Sequence, residues 1–245
     1  MHPVLFETSG FVLYTQTVCL VAAFIAGLLV AIHEGRRFAI AQFELTNIVL
    51  LGFIASIFGA RLFFLLLSQD LSLMSPQTFC TLGTNEGGFA FHGGLLVGGL
   101  VSLLVAWHYQ LPIWRLGDAL APGLAAAMFF MRLGCLFNGC DYGVATTVPW
   151  GVLLHGTQRH PIQLYEGLGN LLLLPLLIVA NKKPLKPGTT FLSYLMVSGL
   201  IRVGVDMYRE ELVRIWNLFT IPQLVAAGIA LFAGIGLSYQ CWLKK

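Results

Sequence analysis

Charge is what this chain lacks most. Only 10% of its 245 residues are Asp, Glu, Lys or Arg, against about 25% in soluble globular domains. With 57% hydrophobic residues, that excludes a water-soluble globule. The same composition excludes intrinsic disorder, which requires low hydrophobicity and high net charge. No basic block occurs, and a net charge of +3 is too small to suggest nucleic acid as a partner. The five cysteines show no paired short spacings of the kind that build a disulfide scaffold or a zinc site, so neither a metal nor a cofactor is expected. No internal repeat is visible. What remains is an all-α polytopic membrane protein, read as a single domain over residues 1–245.

A membrane-crossing helix needs roughly 20 mostly apolar residues. Seven stretches qualify: Phe11–Ile32, Leu45–Leu67, Gly93–Trp107, Leu116–Leu133, Ile162–Ala180, Thr189–Val205 and Leu218–Leu237. The first lacks the basic flank of a signal peptide and exceeds its usual apolar length, so it counts as a helix. Orientation follows the positions of Lys and Arg beside the spans. Arg36, Arg37, Arg115, Lys182, Lys183, Lys186, Lys244 and Lys245 fall on one side and include every lysine of the chain. That side is expected to be cytoplasmic, with the N-terminus outside and the C-terminus inside. The outer segments Ser68–Ala90 and Val144–Gln158 are short and leave no room for a bulky arm.

The other six basic residues are all arginines: Arg61, Arg132, Arg159, Arg202, Arg209 and Arg214. Arg61, Arg132 and Arg202 sit inside apolar stretches. An arginine at the bilayer centre costs about 2.5–3.5 kcal/mol on insertion scales, so three together approach the stability of a whole protein. Two compensations are open. One is internal pairing, since Asp206 follows Arg202 by four residues and precedes Arg209 by three, both same-face helical spacings. The other is a phosphate ligand, which the planar guanidinium fork engages bidentately where lysine acts as a point charge. The preference for Arg over Lys favours a phospholipid headgroup.

Four separate segments bring polar residues to one expected membrane depth. His92 stands among Gly87, Gly88, Gly93 and Gly94, which permit close backbone approach and unusual dihedrals, and its pKa suits proton transfer near neutrality. Met131–Gly143 carries Arg132, Cys135, Asn138, Cys140 and Asp141, with glycines at 134, 139 and 143 expected to break the helix and make a cavity wall. A simple helix–loop exit is the plainer alternative there. Arg159-His160-Pro161 leads into Gln163, Tyr165 and Glu166. Arg202, Asp206 and Arg209 form the fourth group, while Gln223 reads as interfacial.

These motifs resemble those of the phosphatidylglycerol–prolipoprotein diacylglyceryl transferases of bacterial inner membranes. Gly59-Ala60-Arg61-Leu62-Phe63-Phe64 is similar to the family's GGR-aromatic stretch. Gly88-Phe89-Ala90-Phe91-His92-Gly93-Gly94 resembles its histidine motif. Asp118-Ala119-Leu120-Ala121-Pro122 with Arg132-Leu133-Gly134 and Asn138-Gly139 resembles its signature. Arg159-His160-Pro161-Ile162-Gln163-Leu164-Tyr165-Glu166 and Arg202/Asp206/Arg209 resemble two further blocks.

The resemblance implies seven helices, a cavity toward the periplasmic or outer face, and transfer of the diacylglyceryl group of phosphatidylglycerol to a lipobox cysteine of a preprotein or another thiol acceptor. It assigns His92 as base and Arg132 and Arg202 as catalytic phosphate stabilisers, with Arg61 and Arg159 supporting them. Asn138 and Tyr165 orient the headgroup, Glu166 or Asp206 orients an arginine, and Gly143 and Arg209 complete the substrate-binding set. The chain departs from the family pattern at Cys135 and Cys140, where asparagine and glutamate are usual, and Asp141 offers a carboxylate one position later. Those cysteines leave three readings open: a disulfide, a nucleophile, or packing. Two rival functions follow: a related phosphatidylglycerol-dependent transferase with another acceptor, and a non-catalytic phospholipid-binding protein.

Overall fold

A computed structural model of the chain describes residues 3–8, 11–68, 91–210, 214–215 and 219–242. Asp70, Glu86, Gly87, Gly88, Glu211, Lys244 and Lys245 lie outside them. Seven α-helices occur among the described residues: α1 (Thr15–Gly35), α2 (Gln42–Ser68), α3 (Phe91–His108), α4 (Ile113–Asn138), α5 (Ile162–Asn181), α6 (Thr189–Asp206) and α7 (Ile221–Trp242). Five of them, α1, α2, α4, α5 and α7, are long and apolar enough to cross a membrane. This is the make-up of a multi-pass membrane protein.

The helical architecture is as expected, and three short antiparallel hairpins accompany it: β1–β2 (Val4–Thr8, Phe11–Tyr14), β3–β4 (Val152–Leu154, Thr157–Arg159) and β5–β6 (Arg214–Ile215, Phe219–Thr220). Each strand is only two to five residues long, too short for a periodic signal. Phe11–Tyr14 therefore belongs to a strand rather than to the first helix. The last helix begins at Ile221, where Thr220 and Gln223 cap it reciprocally: Gln223 N–H donates to Thr220 Oγ1 (3.2 Å), and Thr220 N–H donates to Gln223 Oε1 (3.0 Å). That capping box gives Gln223 a structural role at the start of the helix.

The chain divides into two compact units, residues 39–113 and residues 1–38 with 114–245. In the first, α2 packs on α3 through glycines. A Cβ on Gly59 would stand 2.5 Å from Val97 Cβ and 2.7 Å from Gly93 O, and one on Gly98 would stand 2.8 Å from Gly52 O. Association between apolar helices in lipid depends on such close backbone approach. Gly93 and Gly94 lie within helix α3, and neither has a positive φ. Their role is packing against α2, which corrects the expectation of unusual dihedrals there.

In the other unit, α1 meets α4 by the same device, since a Cβ on Gly123 would stand 2.5 Å from Gly27 O. Pro122 lies inside α4 and cannot donate to the carbonyl one turn earlier. That carbonyl, Asp118 O, accepts instead from Asn181 Nδ2 at 2.9 Å. The Asp118 carboxylate accepts from Gly188 N–H (2.6 Å) and Phe191 N–H (2.8 Å), closing the start of α6. Asn181 also donates to the fully buried Glu34 (3.0 Å), which pairs with Arg37 (3.1 Å).

Candidate active site

Helix α4 continues through Gly134, whose missing side chain lets α4 lie against Cys19 of α1. This corrects the expected break, because only Gly139, at φ +76°, ends the helix. The chain then passes Cys140 and Asp141, the latter at φ +57°, and joins a small sheet. Gly143 bridges Arg209, Val144 N–H donates to Tyr208 O (2.8 Å), and Thr146 N–H donates to Gln158 O (2.9 Å). Gln163 Nε2 holds Cys140 O at 2.7 Å. These links carry Asp141 back to the ends of α4, α5 and α6.

There three arginines and three carboxylates alternate in a closed ring. Arg132 bonds Asp141 through Nη1 (2.9 Å) and Glu166 through Nη2 (3.0 Å). Glu166 also takes Arg202 Nη1 (2.8 Å), and Arg202 Nε donates to Asp206 (3.1 Å). Arg209 closes the circuit, pairing with Asp206 at 3.9 Å and with Asp141. Arg132, Glu166 and Asp206 are buried. Ion pairs taken out of water require partners on every side, because stripping hydration from an uncompensated charge costs several kcal/mol.

The internal pairing expected for Arg202, Asp206 and Arg209 is therefore present and extends to Arg132, Glu166 and Asp141. The ring sums to zero charge. Its hollow, lined also by Ile162 and Gln163, leaves no space for even a water-sized guest. Two donors stay uncommitted: Arg132 Nε and Arg209 Nε are buried without a hydrogen-bond acceptor among the described residues. Asp141, with its backbone in the left-handed region, reaches two of the arginines.

The other expected site residues stand apart from the ring. Arg159 donates to Gly143 O (3.1 Å) and Leu154 O (3.3 Å), pairs with Glu210, and stacks on Tyr142 with 4.5 Å from its guanidinium carbon to the ring centre. Gly143 is buried, and a Cβ there would stand 2.5 Å from His160 O. Tyr165 OH accepts from Trp150 Nε1 (2.8 Å) and lies 3.1 Å from His160 Nδ1. Asn138 is the exposed last residue of α4. Cys135 and Cys140 are free thiols. Arg61, buried beside Phe64 with 5.7 Å from its guanidinium carbon to the ring centre, belongs to the 39–113 unit. His92 is in the same unit, in the first turn of α3, and its side chain lies outside the described residues.

Sequence reasoning missed Trp150 and gave no role to His160 or Gln163, although both stand in the segment it singled out. Aromatic–imidazole contacts such as His160 with Tyr208, 5.1 Å between ring centres, join residues distant in sequence and leave no local signal.

Comparison with known proteins decides the lineage. A family model described as "Prolipoprotein diacylglyceryl transferase" matches residues 3–239. The chain belongs to the prolipoprotein diacylglyceryl transferase family. It is 34% identical over 183 residues to a phosphatidylglycerol–prolipoprotein diacylglyceryl transferase of Geobacter sulfurreducens, covering 72% of this chain and 69% of that one. A protein of the same name from Tropheryma whipplei is 32% identical, with 83% and 84% covered. A third, from Nostoc sp., is 27% identical, with 98% and 89% covered.

Proposed function

We propose that this chain transfers the diacylglyceryl group of phosphatidylglycerol to the thiol of a lipobox cysteine in a lipoprotein precursor, releasing glycerol phosphate. The observation that supports this most directly is the pair of uncommitted guanidinium donors, Arg132 Nε and Arg209 Nε, within a ring whose arginines otherwise pair with carboxylates. A neutral ring holds the arginines in place without substrate, and the free donors give a phosphate oxygen something to bind. In the reaction a thiolate sulfur attacks the glyceryl carbon and forms the C–S bond. The C–O bond to phosphate breaks, and its electron pair leaves on the phosphate oxygen. Arg132 and Arg202 stabilise the charge that localises there, the task of preorganised donors in a low-dielectric site. A free thiol has a pKa of about 8.5, and His92 takes its proton. Arg61 and Arg159 support the headgroup region, with Asn138, Gly143 and Tyr165 lining its approach.

In this proposal the whole chain works as one membrane domain. Seven helices cross the bacterial inner membrane, the N-terminus lies outside, the C-terminus lies inside, and the ring faces the periplasmic or outer leaflet. Lys182, Lys183 and Lys186, beside the opposite ends of α5 and α6, support that orientation. Arg202 and Asp206 lower the hydropathy of α6, and their pairing four residues apart compensates both charges within the helix.

The test is mass spectrometry of a lipobox peptide incubated with purified protein and phosphatidylglycerol. The expected result is a mass gain of one diacylglyceryl unit on the peptide thiol. Lipid binding with no modified peptide would leave a non-catalytic phospholipid-binding protein. A second reading, transfer to a different acceptor, draws on Cys135 and Cys140 standing where the family has asparagine and glutamate. Rescue of a strain depleted of its own transferase separates the two, because only a lipoprotein transferase restores growth.

A further inference from the structure

Helix α4 ends in a Schellman turn. Cys140 N–H donates to Cys135 O (3.2 Å), Gly139 N–H donates to Leu136 O (3.2 Å), and Gly139 supplies the left-handed residue. In this motif the side chains three residues before the cap and two after it meet. Here both are cysteines. Cys140 Sγ lies 3.6 Å from Cys135 O, back over the turn beside Cys135, and neither residue is fully buried. Interaction with the Cys135 side chain, ahead of opposing desolvation, holds the Cys140 thiol below its ordinary pKa. A thiolate is the reactive form in disulfide exchange. A thioether formed by alkyl transfer to an enzyme cysteine is a poor leaving group, which favours a redox role for the pair over a nucleophilic one.

The residue after Cys140 is Asp141, which ties Arg132 to Arg209. Its side chain is 26% exposed, against 7% for Glu166 and 1% for Asp206. Glu166 and Asp206 are fixed on helices, whereas Asp141 lies on the turn beyond α4. The ring's hollow is filled, so a phosphate that enters it displaces a carboxylate, and Asp141 is the one free to swing out.

We propose that Cys135 and Cys140 form a reversible disulfide that locks Asp141 onto its arginines and slows turnover. The bond itself is independent of the functional reading, while its effect on turnover rests on it. One thiolate attacks a sulfur of a donor disulfide, either a small-molecule disulfide or a dithiol–disulfide oxidoreductase of an oxidising compartment. A mixed disulfide forms, and the second cysteine displaces the donor. The cysteines lose two protons and two electrons, and the donor leaves as two thiols.

Trypsin cleavage after Arg132 and Arg159 isolates both cysteines, and no others, in one peptide. Full-length protein in phosphatidylglycerol-containing micelles is equilibrated with oxidised glutathione, acid-quenched and blocked with N-ethylmaleimide. The expected peptide carries no maleimide, is lighter by two hydrogens, and regains two alkylation sites after dithiothreitol. A doubly alkylated or singly glutathionylated peptide overturns the bond. Oxidised protein is expected to modify a lipobox peptide about tenfold more slowly, short of the ~100-fold that losing a donor outright costs. Dithiothreitol should reverse this, and the Cys135→Ser/Cys140→Ser double variant should not respond to oxidant. Equal rates with the bond formed overturn the control of Asp141. A reduced protein that modifies no peptide at all sinks the transferase reading instead and leaves the disulfide result standing.

Discussion

Helix α4 carries a buried polar cluster at each end, Asp118 near its start and Arg132 near its finish, about 21 Å apart along the axis. At the first, each carboxylate oxygen accepts a backbone N–H at the start of α6, and the freed carbonyl before Pro122 is matched by one asparagine. Those contacts are made with main chain, and replacing any one leaves a group that nothing else can satisfy. At the second, carboxylates face guanidinium groups, and two N–H donors remain over. The same residue type thus serves two purposes. A buried acid against backbone amides fastens a helix, whereas acids against arginines make a neutral set in which another anion can take a carboxylate's place.

The contrast breaks first at the ring. Arg202→Gln should lower peptide modification by about 100- to 1,000-fold, the usual cost of losing a charge-stabilising donor. It should also weaken phosphatidylglycerol binding, measured with labelled lipid in micelles. His92→Ala sharpens the point from the other unit: transfer should fall by roughly 100-fold or more, as for a lost general base, with lipid binding retained. Retained transfer in His92→Ala removes the imidazole from the mechanism. Gly59→Leu places a side chain against Val97 and Gly93 O and should destabilise the α2–α3 pair by about 1–3 kcal/mol, seen as a lower thermal midpoint in detergent. Asp118→Ala is the smallest change. The loss of a helix cap, about 1 kcal/mol, should lower the thermal midpoint while transfer by the folded fraction stays unchanged. A large loss of kcat there would erase the distinction between the two ends.

The pairing of Arg202 with Asp206 was legible because both lie on one helix four residues apart. The union of Arg132, Glu166 and Asp141 was not, since it needs the ends of α4 and α5 and a turn beyond Gly139 to converge. Periodicity misjudged that turn: glycines at 134 and 143 read as breakers, yet one is a helix contact and the other is buried and forms an isolated bridge to Arg209. Gly93 and Gly94 misled in the same way, because a sequence shows that a side chain is absent without showing whether a bend or a neighbour requires it. The hairpins escaped notice because strands of two to five residues carry too few alternations to count.

Solvent and period are written along a chain. Scarce charge and apolar runs of helical length determine, from composition alone, that this protein lives in lipid, and ordered motifs place it in its family. Tertiary structure decided which charges cancel. Whether a buried arginine awaits a ligand or already has a partner depends on distances of about 3 Å between residues far apart in sequence, and only packing sets those.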